Sequence, residues 1–407
     1  MIKDSKQRLW LICELYYPEV NATGHYLTQI GTGLANEFDV RVICAQPNYL
    51  SKGIRAPKRD SHKGVAIRRV WSTTLNKDVL PFRLINMLTI GVSMFVRSLV
   101  SFRRGDKVLV VTAPPSLPYT TAFAAILKGS TYTVLLHDLY PDILVTVGKT
   151  KQASLLFRVI ERANRWLYKH ASNLIVVGRD MEEKVEMKSS GLNVPISVIP
   201  NWADLAAIEP TERSANPLLA ELGASSKFVL MYAGNIGHPT DVETIVEAAE
   251  MLLENESVHF VFVGSGAKKP WIERRVAERD LSNVTILGQR PREEQNVFLN
   301  ACDVGIVALI PGMLGTAMPS RTYNILAAGK PIIALTDPGS ELAMVVEEEN
   351  VGWHIPPRDT EALVNTIREA MSDRSRLTGM GRRAREAAIA KYSPESAVEK
   401  YLNVLKS

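Results

Sequence analysis

Two Rossmann-like, doubly wound α/β domains are predicted by three features of the chain. Short apolar runs rich in β-formers alternate with helical segments from end to end, the pattern of parallel sheets covered by helices. The alternation stops once, in NWADLAAIEPTERSANPLLAELGASSK (201–227), which has no strand pattern and carries Pro210, Pro217 and Gly223, and then restarts. With 407 residues and 46% hydrophobic content, the chain can bury more than one core. These features predict an N-terminal domain over 1–200, a linker over 201–226 and a second domain over 227–393.

In the first half, strands are expected over 9–14, 40–45, 66–70, 107–112, 131–137, 173–177 and 197–199. The longest apolar run, 84–96, contains Asn86 and ends at Arg97. It is short of the roughly 20 residues a spanning segment needs, so a helix is expected there and not a span. In 155–168 the apolar Leu156, Val159, Ile160, Ala163 and Leu167 recur at helical spacing and predict a core-facing stripe. The second half offers strands over 228–232, 258–263, 284–287, 304–309, 331–335 and 352–355. The helix after the first of these presents Val242, Ile245, Val246, Ala249, Leu252 and Leu253 to a core.

Charge is unevenly spread. Residues 1–195 hold 27 Lys and Arg against 15 Asp and Glu, whereas 196–407 hold 21 against 28. A basic first half suits an anionic membrane surface or a phosphorylated lipid, and equally a solvated basic face; no nucleic-acid partner is expected. Cys13, Cys44 and Cys302 lie far apart, which argues against a disulfide framework or a zinc knuckle and fits a reducing cytoplasm. The opening MIKDSKQRLWLICELYYPE lacks the apolar core of a signal peptide, so a cytoplasmic location is expected.

Open α/β sheets bind ligands beyond the carboxyl ends of their strands, so the loops there hold the candidates. After the first strand, YPEVNATGH (17–25) leads into a helix near Gly24; glycine there admits a ligand to the backbone, or simply makes a turn. LLHDLYPD places His137 and Asp138 at the end of an apolar strand, either polar chemistry on a rigid mount or a satisfied structural histidine. YAGNIGHPTDVETI (232–245) is a strand, a loop with Gly234 and Gly237, and a helix beginning near Thr240, so its amides can cradle phosphate; tight-turn glycines are the alternative. It is not GxGxxG, and Gly264-Ser265-Gly266 follows the next strand where a dinucleotide fold places an acid. Last, GTAMPSRTYNILAAGKPIIAL (315–335) opens a helix at Pro319-Ser320. Ser320 as N-cap beside Arg321 makes an anion site, or else a plain cap and a surface charge. The chain contains no Asp-x-Asp, HExxH, cysteine cluster or GxSxG, which counts against metal and hydrolase-triad chemistry.

In order and spacing, several segments resemble the GT-B glycosyltransferases of family 4. They are YYPEVNATGHYLTQIGTGLA (16–35), HDLYPD (137–142), VIPNWAD (198–204), YAGNIG (232–237), VFVGSGAKK (261–269), Gly288-Gln289-Arg290 and PSRTYNILAAGKPIIA (319–334). The chain looks most like bacterial enzymes that build cell-surface polysaccharides, of fucosyl or N-acetylhexosaminyl type. The resemblance implies a GT-B fold, two Rossmann-like domains facing across a cleft. The second domain would take a nucleotide-diphosphate sugar as co-substrate, a UDP-sugar rather than a GDP-sugar. The first would take a lipid-linked or saccharide acceptor, and the last helix, 394–407, would pack back on that domain.

By the same resemblance, Gly24, Gly234, Asn235, Gly237, Ser320 and Arg321 would meet the donor diphosphate, and Gly264, Gln289, Arg290 and Asn324 the nucleoside. Tyr17, Asn21 and His25 would meet the acceptor, and His137, Asp138 and Arg321 would serve the reacting centre. Retention of anomeric configuration is implied, with no cofactor and no metal. The chain departs from the common family pattern twice. Thr316 and Asn324 stand where many members have two glutamates, and Asn235 and Thr240 where many have Arg and Lys. Arg321 is the nearest replacement cation for the charge that grows on the departing diphosphate. The competing readings are a nucleotide-sugar 2-epimerase, revealed by an epimer formed without acceptor, and a non-catalytic partner that binds nucleotide sugar without turnover. The basic first half and the 84–100 helix lead to the expectation of peripheral attachment to the inner face of the plasma membrane.

Overall fold

The computed structural model describes residues 6–47, 55–76 and 79–407. The chain divides into two compact units, Met1–Asp142 with Thr150–Pro200 and Glu395–Ser407, and Ile143–Lys149 with Asn201–Pro394.

The first unit is built on an eight-stranded sheet of β1 (Arg8–Ile12), β2 (Asp39–Cys44), β3 (Arg59–His62), β4 (Val65–Arg69), β5 (Lys107–Val111), β6 (Thr131–Leu136), β7 (Asn173–Val176) and β8 (Ile196–Val198). Its order is β3-β4-β2-β1-β5-β6-β7-β8, parallel except for β3. The strand order reverses between β1 and β5, the place where such sheets open a ligand crevice. The edge strand β3 went unpredicted because RDSH is polar throughout and pairs on one side only. Helix Ala22–Leu34 meets the last helix, Pro394–Lys406, so closely that a Cβ on Gly33 would lie 2.6 Å from Val398 Cγ2. Ala397, Tyr401 and Leu405 are buried there, and Lys406 pairs with Glu37 at 2.8 Å.

Two helices of this unit differ from the sequence reading. The apolar run at 84–96 belongs to a 22-residue helix, Leu80–Ser101, which is long and apolar enough to cross a membrane by length and composition. In Leu155–His170 the buried side is Phe157, Asn164, Leu167 and Tyr168, while Leu156 and Val159 of the expected stripe are 54% and 57% exposed. The inward face is turned by Asn164, whose side chain accepts from Tyr119 Oη at 2.6 Å and donates to the Tyr140 carbonyl at 2.7 Å. An apolar count misses a face organised around an asparagine.

The second unit carries β9 (Phe228–Ala233), β10 (Val258–Val263), β11 (Val284–Leu287), β12 (Val304–Ala308), β13 (Ile332–Leu335) and β14 (Gly352–Ile355) in a parallel sheet of order β11-β10-β9-β12-β13-β14. Both central strands, β9 and β12, are buried along their length, as continuous apolar runs in a helix-covered parallel sheet must be. The reversal point lies between β9 and β12. Residues 201–226 belong to this unit and do not form the expected linker. Trp202, Ala203 and Ile208 are buried, and Asn216 caps the short helix Pro217–Glu221 while donating to the Val297 carbonyl at 2.8 Å. Side-chain amides from Asn296 and Asn300 take up the Glu209 and Thr211 N–H groups, so an irregular segment is satisfied without strand pairing.

Candidate active site

At the reversal point of the second sheet, three predicted segments converge. Tyr232, next to last in β9, donates its hydroxyl to the Asn235 carbonyl at 2.8 Å. Arg321 donates Nη2 to the same carbonyl at 3.1 Å, and its guanidinium lies 4.4 Å from the Tyr232 ring centroid. Gly234 has φ +139°, and a Cβ there would sit 2.9 Å from Arg321 Cζ. Glycine is therefore needed for Arg321 to cross the loop. Arg321 Nη1 is buried and has no hydrogen-bond partner among the described residues, a costly state for a charged donor unless a ligand completes it.

The loop after β10 nests against the same turn. Gly264, at φ +145°, would put a Cβ 2.0 Å from the Gly234 carbonyl oxygen, and Gly266, at φ +152°, one 2.3 Å from that of Ile236. Ile236 N–H donates to the Ser265 carbonyl at 2.8 Å, and Ser265 Oγ donates to Gln289 Oε1 at 3.1 Å, which brings the loop after β11 alongside. Gly237 is buried and its carbonyl accepts from Thr240 Oγ1 at 2.7 Å. Arg290 turns its guanidinium to Glu294 at 3.0 Å and Glu221 at 3.4 Å.

Two residues of the expected donor set are used by the fold. Ser320 precedes helix Arg321–Ala327 with helical φ −63° and ψ −20°, and its side chain makes no capping bond; a cap needs extended backbone, so the N-cap expectation fails. Asn324 is 7% exposed, and its Oδ1 accepts from the Asp204 N–H at 3.0 Å, where a ribose contact had been expected. Thr316, at the other position where glutamate is common, is buried and donates Oγ1 to the Met313 carbonyl at 2.7 Å. The uncharged loop before it is held from outside: Asp337 accepts from the Gly312 N–H at 2.9 Å and the Leu314 N–H at 3.1 Å. Among the described residues no group of three or more His, Cys, Asp or Glu is placed to hold a metal ion.

In the first unit, His137 and Asp138 follow β6 beside the reversal point, and the His137 N–H donates to Thr112 Oγ1 at the end of β5 at 3.2 Å. Burial pushes the His137 imidazole down to about 4, so it is neutral at neutral pH. Burial likewise raises the Asp138 carboxyl to about 6. Asn21 is committed to local structure, its side chain accepting from Gly24 N at 2.8 Å as the N-cap of Ala22–Leu34. A Cβ at Gly24 would meet both Asn21 Oδ1 and the Glu19 carbonyl oxygen at 2.9 Å, so the loop's own packing requires this glycine. Tyr17 is exposed and stacks on His62 with centroids 3.8 Å apart, and His25 lies edge-on to Tyr26.

The family model "Glycosyl transferase 4-like domain" matches residues 21–202, and "Glycosyl transferases group 1" matches 220–387. The chain is 31% identical to "Probable glycosyltransferase WbjE" of Pseudomonas aeruginosa over 95% of both chains. It belongs to the group 1 (family 4-like) glycosyltransferases. A second relative, WcaI of Escherichia coli (strain K12), carries the name of a colanic acid biosynthesis glycosyl transferase and is 26% identical over 96% of this chain and 98% of its own. HepE of Anabaena, solved in complex with UDP, superposes with a TM-score of 0.73 at 14% identity, covering 98% of this chain and all of the other. The fold is thus that of GT-B enzymes, and the reaction class is glycosyl transfer.

For this transferase, sequence reasoning singled out Gly234, Asn235, Gly264, Gln289 and Arg321, and the structure gathers them. It missed Tyr232, the aromatic floor under Arg321, and Asp337, which fixes the 312–314 loop. Tyr232 was hidden because a strand's last aromatic reads as core. Asp337 sits after β13, where a post-strand acid was a legible signal.

Proposed function

We propose that the protein is a retaining, metal-independent transferase in surface polysaccharide synthesis. It moves a hexose or N-acetylhexosamine from a nucleotide-diphosphate sugar to a lipid-linked or saccharide acceptor at the inner face of the plasma membrane. The observation that carries this is Arg321: a guanidinium laid across a two-glycine turn at the end of a sheet's central strand, with its buried Nη1 unpartnered among the described residues. Leaving-group departure builds charge on the diphosphate, and a pre-aimed guanidinium in a desolvated turn is the strongest aid this chain supplies to it. The turn's glycines keep the backbone within reach of phosphate oxygens, and the loops at Gly264 and Gln289 are proposed to take the ribose and base.

A UDP-sugar is the proposed donor, supported by the UDP complex of the HepE neighbour. His137, neutral at working pH, is proposed to line the sugar's reacting side with Asp138, and the acceptor hydroxyl to attack from the face the diphosphate leaves. Tyr17 and His25 are the proposed acceptor contacts. The decisive experiment incubates purified protein with a panel of UDP- and GDP-sugars and lipid-linked acceptors, with EDTA present, and reads product anomeric configuration by NMR. Transfer with retention in EDTA supports the proposal. Loss of transfer in EDTA, inversion, or an epimer formed without acceptor would overturn it.

A further inference from the structure

Three neighbouring helices of the first unit turn apolar side chains outward where solvated helices place polar ones. In Leu80–Ser101 the first turn, Pro81 to Ile85, is exposed throughout. Beyond it Leu88, Val92, Val96 and Val100 continue outward at four-residue steps, with Leu88 68% and Val100 76% exposed. Helix Leu117–Lys128 packs beside it, through Phe95 stacked on Phe123 at 5.8 Å, and its outward residues Phe123, Ile126 and Leu127 are apolar too. Helix Leu155–His170 packs on that one and adds Leu155, at 78% exposure, with Leu156 and Val159. Contiguous exposed apolar surface on this scale marks an interaction site.

What surrounds the patch identifies its occupant. Arg158, Arg162 and Arg165 are exposed on the third helix and make no ion pair among the described residues. Arg83 stands within the exposed first turn of Leu80–Ser101. Trp71, 68% exposed, lies in the segment tied to that helix by Thr73 and Leu75, and Trp166 is on the third helix. Apolar residues bordered by arginine and tryptophan match the layers of an anionic bilayer: hydrocarbon, interface, headgroup.

The amide that borders the patch is already hydrogen-bonded within the unit. Asn86, the amide in the helix's outer half, accepts from Thr73 Oγ1 at 2.7 Å and Leu75 N at 3.0 Å and donates to the Leu75 carbonyl at 2.9 Å, so both its oxygen and its nitrogen already have partners within the unit. The opposite side of the helix buries Ile90, Met94 and Ser98 within the unit. Crossing a bilayer would pull those residues out of the fold. Lying in the interface would not.

We propose that this three-helix face is a monotopic membrane-docking surface, inserting the outward residues of Leu80–Ser101, Leu117–Lys128 and the start of Leu155–His170 beneath anionic headgroups gripped by Arg83, Arg158 and Arg162. The surface stands on its own exposure and charge, and rests on the proposed function only in saying where a lipid-linked acceptor is met. The test is flotation of the full chain at low salt with phosphatidylethanolamine vesicles, with and without phosphatidylglycerol. Wild type floats with the anionic vesicles, and raised salt weakens the association. Leu88→Glu/Val92→Glu and Arg158→Glu/Arg162→Glu each cut the bound fraction by about tenfold or more. UDP titration of the second-unit site and turnover of a soluble saccharide acceptor stay unchanged in both variants, which separates failure of this surface from failure of the transferase assignment. The proposal is overturned if wild type stays unbound on anionic vesicles or if both variants float as wild type does. It is equally overturned if wild type sediments as a dimer that Leu88→Glu/Val92→Glu dissociates, since a second copy would then be the occupant.

Discussion

The Arg321 guanidinium lies 4.4 Å from the Tyr232 ring centroid and shares with the Tyr232 hydroxyl a single acceptor, the Asn235 carbonyl. Ring and carbonyl fix the charge from two sides, so its position is set before any ligand arrives. Arg321→Ala is expected to lower kcat by roughly 10²-fold or more, the scale of one lost charge-stabilising donor. Arg321→Lys should recover only part, because an ammonium cannot both stack and fork. Steady-state kinetics with the preferred sugar donor checks both, and wild-type turnover in Arg321→Ala would remove the arginine from its role.

Gly234→Ala places a methyl against Arg321 Cζ at 2.9 Å and strains a residue at φ +139°. We expect a loss of about 1–3 kcal/mol in stability, with donor KM raised as the guanidinium is displaced. Gly264→Ala meets a backbone oxygen at 2.0 Å and should be the more damaging of the two. Urea unfolding of both variants gives the ranking.

His137 and Asp138 should shape stability against pH in opposite directions. With the folded imidazole near 4 and its ordinary value at 6.5, the unfolded chain binds the extra proton between those values, so this term loses stability as pH falls through the window. The folded Asp138 carboxyl, near 6 against an ordinary 3.8, keeps a proton the unfolded chain has lost, so its term loses stability as pH rises from 3.8 to 6. Asp138→Asn should therefore grow steadily more stable from pH 4 to 6.5, and His137→Asn less stable from pH 4 to 6. Chemical denaturation across that range tests it, and slopes of the same sign in both variants would refute it.

Much of this was legible in the residues themselves. The second parallel sheet announced itself because strands such as Phe228–Ala233 and Val258–Val263 are buried on both faces and read as unbroken apolar runs. The glycine turns after them were legible because a positive φ leaves few other choices of residue. Capping and amide chemistry was not. Asn21 and Ser320 are equally good N-cap types, yet only Asn21 caps, since the outcome depends on a backbone angle that sequence does not print. The inward face of Leu155–His170 is hidden from an apolar count because Asn164 belongs to it, and the fold contact of Asn324 is hidden because its partner Asp204 lies 120 positions away.

That last contact makes a separable prediction. Asn324→Ala strands the buried Asp204 N–H and should cost about 1–2 kcal/mol of stability while leaving donor KM unchanged. A raised KM at unaltered melting temperature would instead return Asn324 to the ribose.

The helix Pro394–Lys406, keyed against Gly33 by Val398, has a bearing on how the molecule is made. During synthesis the first unit waits for its closing piece until the whole second unit has been translated, so the surface of Ala22–Leu34 around Gly33 stays uncovered on the ribosome. Deleting residues 395–407 should then expose the earliest-made part of the protein to proteolysis, while the later-made second unit keeps its shape.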